Sequence, residues 1–408
     1  MRRVVVTGMG IASPLGSTVK SAFERLKTYQ NCIEYWTELD EIKNMNTRLC
    51  SKVKGFEKPE YFTRKITRTM GNVALMATVT AEQALQESGL LNNPVITNGR
   101  CGVSYGSSTG SMKPIFDFYA IELDKEVKNL NSGSYIKMMS QTTAVNISLY
   151  FKTTGRLIPT STACTSGSLG IGMAYEAIKY DLQDVMIAGG AEKIHPSQAG
   201  VFDTLYATSI KNDTPDKTPS PFDRDRDGLV IGEGAGTLIL EEYEHAKNRG
   251  AKIYAEIVGF DTNTDGTHIT NPNPNTMQIV MENAVKSANL SMKDIGYVNA
   301  HGTGTKNGDI AESIATQNAF QRQIPISTIK SYTGHTLGAC GAIEAILSIE
   351  MMRNKWFAPT LNLNNIDSEC GDLDYITNSG RVIDTEYIMS NNFAFGGINT
   401  SLIFKRCE

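Results

Sequence analysis

A chain of 408 residues with 40% hydrophobic content can bury a large core, and its length suits two domains or one duplicated one. A net charge of -4 with 20% charged residues argues against a general nucleic-acid binder. Seven cysteines, odd in number and without a C-x-x-C pair, suggest neither a disulfide framework nor a thiolate zinc site, and a reducing, cytoplasmic setting fits them best. The first apolar run breaks at Thr7-Gly8 and no stretch is long enough to span a bilayer, so a soluble protein without a signal is expected.

Residues 3–7 read as a buried strand ended by Gly8-Met9-Gly10, whose glycines lack the spacing of a dinucleotide site. Residues 17–26 read as a short helix and 37–60 as a polar loop. The run TRKITR then gathers Arg64, Lys65 and Arg68 ahead of an apolar helix over about 70–87, with Arg64 and Arg68 on one face. Taken alone, that cluster reads as a solvated helix start. Residues 100–106 (RCGVSYG) form a second buried strand and open into Ser107-Ser108-Thr109-Gly110-Ser111, a small polar loop suited to lining a pocket. A charged amphipathic stretch (117–131) and a helix (138–150) follow.

Residues 158–180, IPTSTACTSGSLGIGMAYEAIKY, organise the chain: an extended run ends at Cys164 and a small-residue helix begins at once. A cysteine in a helix's first turn meets unpaired N–H groups and the positive end of the dipole, which favour a thiolate. The helix carrying Gly167, Ser168, Gly170, Gly172, Ala174 and Ala177 has poor intrinsic propensity as a whole, chiefly through its glycines, so tight packing must hold it. Residues 184–192 (DVMIAGGAE) are a strand ending in glycines. The Asp- and Gly-rich stretch 215–236 lacks the spacing of a calcium loop and reads as a structured turn, and a strand end with a charged helix (238–248) closes the first half near Gly250.

The second half repeats the first. Residues 255–260 resemble a new first strand, 297–300 end at HGTGT as RCGVSYG ends at GSSTG, and 387–390 lead into NNFAFGGIN. Residues 324–347 lie on 158–178 with Lys330 opposite Cys164. Self-similarity at half the chain length predicts two duplicated α/β units, 1–250 and 251–408, with the site at strand ends. His301 and His335 sit in glycine-threonine loops without metal-ligand spacing, which suits hydrogen-bond donors of a site shared with Cys164. Glu344, within the apolar helix LGACGAIEAILSIEMM, is expected to be buried and to need a cation, for which Lys330 is the natural partner.

TACTSGS, NAHGTGT, KSYTGHTLGACGA and NNFAFGGIN, in this order, resemble the elongating β-ketoacyl-acyl carrier protein synthases of the thiolase fold. The resemblance implies a five-layered α-β-α-β-α sandwich of duplicated halves and a ping-pong Claisen condensation, with no cofactor beyond the phosphopantetheine of the carrier protein. It makes Cys164 the acylated nucleophile and His301 and His335 the enolate stabilisers. Cys164 and Phe395 would supply oxyanion-hole N–H groups, Phe395 would act as a gate opposed by residues 265–270, and Thr303 and Thr305 would bind the pantetheine arm. Lys330 and Glu344 become a supporting ion pair, and Asn299, Glu344, Ser390 and Asn391 would hold a structural monovalent cation. Arg64, Lys65 and Arg68 become a docking patch for an acidic carrier protein. The family dimerises, which implies a homodimer or a heterodimer with a chain-length-factor-like paralogue.

Ala394, where the family generally has glycine, and Thr109, where fatty-acid enzymes usually carry a bulky aliphatic residue, depart from the fatty-acid pattern. GSSTGS, NNFAFGGINTS and SYTGHTLGACGA look most like the synthases of aryl polyene pathways, with Ser107, Ser108 and Thr109 lining a longer, more polar acyl channel. The rivals are a fatty-acid synthase of primary metabolism, a non-catalytic chain-length factor, a degradative thiolase and a cysteine hydrolase, the last opposed by two histidines in glycine-threonine loops that suit enolate stabilisation better than water activation. Cys164 with both histidines opposes the chain-length factor, and the absence of cysteine from 391–397 opposes the thiolase.

Overall fold

The computed structural model describes residues 1–127 and 129–407. Its centre is an 11-stranded sheet. From one edge to the other the strands are Asp374–Tyr375, Pro325–Ser327, Ile295–Asn299, Tyr387–Ala394, Ile398–Arg406, Ala255–Thr264, Val4–Ala12, Gly234–Glu242, Val185–Glu192, Cys101–Gly106 and Leu157–Thr160. Outward from Val4–Ala12 the pairings run antiparallel, antiparallel, parallel, parallel. Outward from Ala255–Thr264 the same sequence recurs. Within the central sheet the halves join where Val4, Val5 and Val6 pair Ile257, Glu256 and Ala255, so the duplication is visible in strand order and direction together.

Helices Ser166–Lys179 and Cys340–Arg353 touch each other and strands of both halves, forming the middle layer of a thiolase-like sandwich. Asn72–Glu87 and Thr142–Phe151 cover the first half, and Pro274–Ser287, with Lys306–Phe320 beside it, covers the second. One apolar core runs from Val4 through Ile171 and Ile346 to Phe404, so neither half closes its core alone. The middle helices approach closely because small residues meet there. A Cβ on Gly167 would lie 3.0 Å from the backbone of Ala342 and Gly338, and one on Gly341 would lie 2.6 Å from Ser168 N. No helix among the described residues is long and apolar enough to cross a membrane.

Three sequence expectations shift. The basic cluster forms its own short helix, Arg64–Thr67, separated from Asn72–Glu87 by Arg68 to Gly71. The helix expected over 138–150 is two, Ser132–Met138 and Thr142–Phe151, because the chain is extended at Met139. The repeat alignment also slips. Ala163 (φ 50°) and Leu337 (φ 49°) each open a short turn leading into a middle helix, so the counterpart of Cys164 is Gly338 and not Lys330. Lys330 and His335 lie in residues 329–336, an insertion that a match of strand ends alone does not show.

Gly190 tests the close packing, since a Cβ there would lie 2.2 Å from Gly338 O. Gly190→Ala should cost about 1–3 kcal/mol or more. Gly200→Ala, in a helix with its nearest atom at 3.6 Å, should be neutral or stabilising by up to ~1 kcal/mol. Paired thermal melts check this, and equal melting temperatures for the two variants would refute the packing argument.

Candidate active site

Cys164 stands in the turn between strand Leu157–Thr160 and helix Ser166–Lys179, buried, with Sγ 2.9 Å from His335 Nε2. His335 is held through its backbone: its N–H donates to Val230 O, and its carbonyl accepts from Gly232 N. Its Nδ1 accepts the Leu337 N–H at 3.3 Å. The remaining ring proton therefore sits on Nε2 and faces Cys164. His301 follows strand Ile295–Asn299, its ring centroid 5.2 Å from that of His335 and nearly perpendicular to it. His301 Nδ1 meets Lys330 Nζ at 3.1 Å, a donor with no acceptor capacity, so His301 too carries its proton on Nε2. Cys164 Sγ and ring nitrogens of both histidines lie within 4.8 Å of one another, a set that would also accept a thiophilic metal ion.

Behind these groups Lys330 Nζ contacts Glu344 Oε1 with both side chains almost fully buried, the pair expected from the sequence. Asn392 donates to Glu344 Oε2 at 2.7 Å. Burial, reinforced by the Lys330 charge, holds both histidines well below their ordinary range, so they are neutral donors at pH 7. Burial also pushes the Cys164 thiol up to about 11, against the opposing pull of Lys330 and of the Phe395 and Cys164 N–H groups that face the sulfur. This corrects the thiolate expected from the helix N-terminus: desolvation outweighs the dipole and the resting group is a thiol.

Several essential supports are missing from the sequence reading. Glu312 accepts the N–H groups of His301 and Gly302, each at 2.7 Å, and burial raises its carboxyl to about 8. Asp309 accepts from Thr303 N, Gly304 N and Phe222 N, and Arg226 binds the carbonyls of Thr305 and Lys306. Asp309 and Glu312, one turn apart in helix Lys306–Phe320, thus cap the loop just before it, a pattern acidic residues near a helix start could have signalled. Cys340 was also missed. Its S–H donates to Cys164 O at 3.2 Å, and burial keeps it a thiol.

A cavity of about 480 Å³ opens onto Cys164, His301 and His335 and is lined by Thr303, Thr305 and Phe395. The two threonine hydroxyls are 2.9 Å apart. Phe395 packs on Phe202, with ring centroids 4.9 Å apart. The 265–270 loop lies against the Phe395 turn as expected: Gly396 N donates to Ile269 O, Asp265 N to Gly397 O, and Asn399 Nδ2 to Asp265 Oδ1. Asn299 Nδ2 donates to Ser390 Oγ, and the Oδ1 atoms of Asn299 and Asn391 are buried without a partner among the described residues. Arg64, Lys65 and Arg68 are exposed, have no ion pair among the described residues, and lie outside the cavity lining.

Ser107, Ser108 and Thr109, expected along an acyl channel, have their hydroxyls engaged in the structure. Their hydroxyls turn onto the buried carboxylate of Glu192, which also accepts the N–H groups of Ser108 and Gly338. A buried carboxylate with no cation beside it among the described residues must collect such donors, so the loop anchors Glu192 and stands outside the lining of the cavity at Cys164.

The two-part family model for β-ketoacyl synthases matches this chain, its N-terminal domain over residues 1–246 and its C-terminal domain over 254–364. The chain belongs to the β-ketoacyl synthase family. It is 40% identical over 413 residues to 3-oxoacyl-[acyl-carrier-protein] synthase 2 of Vibrio cholerae, covering 99% of both chains. A β-ketoacyl synthase from Burkholderia phymatum superposes with TM-score 0.98 at 52% identity over 100% of each chain. A type II polyketide ketosynthase, solved in complex with its acyl carrier protein and bound to the hexaketide, superposes with TM-score 0.87 at 28% identity over 100% of each chain. The synthase is accordingly a condensing enzyme of the acyltransferase class.

Because the resting nucleophile is a thiol, alkylation of Cys164 by iodoacetamide should accelerate with pH from 7 to 10. Lys330→Met, which removes the ammonium pulling the thiol down and leaves Glu344 unpaired, should move that rise to higher pH and cost ~3–5 kcal/mol of stability. A rate flat across this range, followed by mass spectrometry, would restore the thiolate.

Proposed function

We propose that this synthase elongates acyl chains on an acyl carrier protein, condensing a Cys164-bound acyl group with malonyl-carrier protein. The observation that carries it is the convergence of Cys164, two neutral Nε2–H histidines and the Thr303–Thr305 hydroxyl pair on one cavity. The chain-wide identity to carrier-protein synthases and the likeness to a carrier-bound ketosynthase support the substrate class and the partner. Cys164 attacks the donor thioester, the developing oxyanion meets the N–H groups of Cys164 and Phe395, and the thiol proton leaves with the pantetheine sulfur. Thr303 and Thr305 hold the malonyl arm. Loss of CO2 leaves an enolate whose oxygen accepts from Nε2–H of His301 and His335, and neutral histidines suit this because they donate without yielding a full proton. The enolate carbon then attacks the acyl-Cys164 carbonyl. The expelled sulfur, with its high proton affinity, takes up one proton and the thiol is restored.

Asn299, Glu344, Ser390 and Asn391 would hold a monovalent cation, for which the two orphaned amide oxygens are the supporting observation. Arg64, Lys65 and Arg68 form the docking patch, their exposure and their freedom from ion pairs among the described residues supporting it. We read the chain as two units, 1–250 and 251–408, on the repeated strand order. A dimer is favoured by the exposed apolar side chains Phe116, Tyr119, Leu123 and Leu149 and by the open edge strand Leu157–Thr160. We assign the pathway to aryl polyene synthesis, on the motif likeness around 107–111 and 391–401 and the Ala394 departure.

Intact-mass spectrometry with malonyl-carrier protein and acyl donors tests both levels. Acyl mass on Cys164 followed by a β-ketoacyl product two carbons longer is expected, with aryl-enoyl donors preferred; preference for saturated donors would return the enzyme to fatty-acid synthesis, and no acylation would leave the chain-length-factor reading. Arg68→Glu should raise KM for carrier-bound donor while sparing a small pantetheine thioester, and equal losses on both would remove the docking patch.

A further inference from the structure

Asn392 lies on strand Tyr387–Ala394, fully buried, at the point where the ion pair meets His301. Its amide donates to Glu344 Oε2 at 2.7 Å and lies 3.3 Å from His301 Nδ1 and 3.7 Å from Cys340 Sγ. Its Oδ1 has no partner among the described residues. Glu344 fixes this orientation, because the reversed amide would set its oxygen against a carboxylate. His301 Nδ1 thus faces two groups, the Lys330 ammonium and the Asn392 NH2, that can only donate to it.

We infer that Asn392 is a positioning residue that, with Lys330, locks His301 in the Nε2–H form and thereby reserves its proton for the enolate oxygen. The inference rests on the synthase reading above. It separates the two half-reactions by residue: acylation of Cys164 proceeds beside His335, whereas decarboxylation needs the His301 proton in the cavity. An acceptor at position 392 would draw that proton to Nδ1 and leave a lone pair facing the enolate.

Asn392→Asp supplies that acceptor at unchanged size. Asn392→Ser shortens the side chain and adds no charge. Each variant and the wild type are given malonyl-pantetheine thioester, with CO2 release measured, and separately hexanoyl-pantetheine thioester, with acyl mass on Cys164 measured. Asn392→Asp should lose decarboxylation by about 100-fold or more while acylating Cys164 nearly as fast as wild type, and Asn392→Ser should lose much less decarboxylation. Decarboxylation by Asn392→Asp at the wild-type rate would overturn the assignment. So would parallel loss of both half-reactions in Asn392→Ser, which marks a merely structural role even if Asn392→Asp fails to fold. A wild-type protein that acylates but does not decarboxylate malonyl thioester would instead overturn the synthase reading, and the inference with it.

Discussion

The site depends on one buried ion pair. Lys330 and Glu344 are each almost fully buried, where isolated charges would cost several kcal/mol apiece, and the pair persists because every charged atom has further work. The ammonium also reaches His301 Nδ1, and the second carboxylate oxygen takes the Asn392 amide. The same positive charge pulls down the protonation of both histidines and, against burial, that of Cys164. Burial and this one cation together set the directions a condensation needs: two neutral donors, and a sulfur less costly to ionise than burial alone would allow.

That arrangement requires the middle helices to meet almost backbone to backbone. Gly167 against Ala342 and Gly341 against Ser168 leave no room for larger side chains. Their crossing brings the Cys164 turn within hydrogen-bonding reach of Cys340 at the start of the other helix. Low helix propensity in the Cys164 helix is therefore a consequence of the approach, and the packing that compensates for it is the packing that assembles the site.

What could be read from the sequence follows from how local each signal was. Glu344 was legible as buried because Ala342, Ile343, Ala345 and Ile346 surround it in sequence, and the duplicated strands because each ends in the same small residues. The Glu192 contacts were not legible, since Ser107, Ser108 and Thr109 look like pocket lining until the carboxylate that consumes their hydroxyls is brought beside them from another strand. The resting state of Cys164 was missed for a similar reason: the dipole is local to one turn, whereas desolvation is the sum of everything packed around it. Asn392 gave no signal because amide polarity in a strand says nothing about which charges it will meet.

The duplication also explains why the chemistry is lopsided. In matching strands Gly190 and Asn392 occupy the same register, opposite Gly236 and Thr400 respectively. In the matching middle helices Gly170 stands where Glu344 stands in the other. A Cβ on Gly190 would strike Gly338 O, and one on Gly170 would press on Gly189 O at 2.8 Å, so in the first half backbone closes off both positions. The second half places a carboxylate and an amide there, and adds Lys330 and His335 on residues 329–336. The counterpart of Cys164, Gly338, has no side chain and gives its N–H to Glu192. One copy keeps the nucleophile and closes its interior with glycine, while the other gives up the nucleophile and opens its interior to charge. Either half alone would hold a thiol without donors or donors without a thiol, so the reaction belongs to the interface of the duplication.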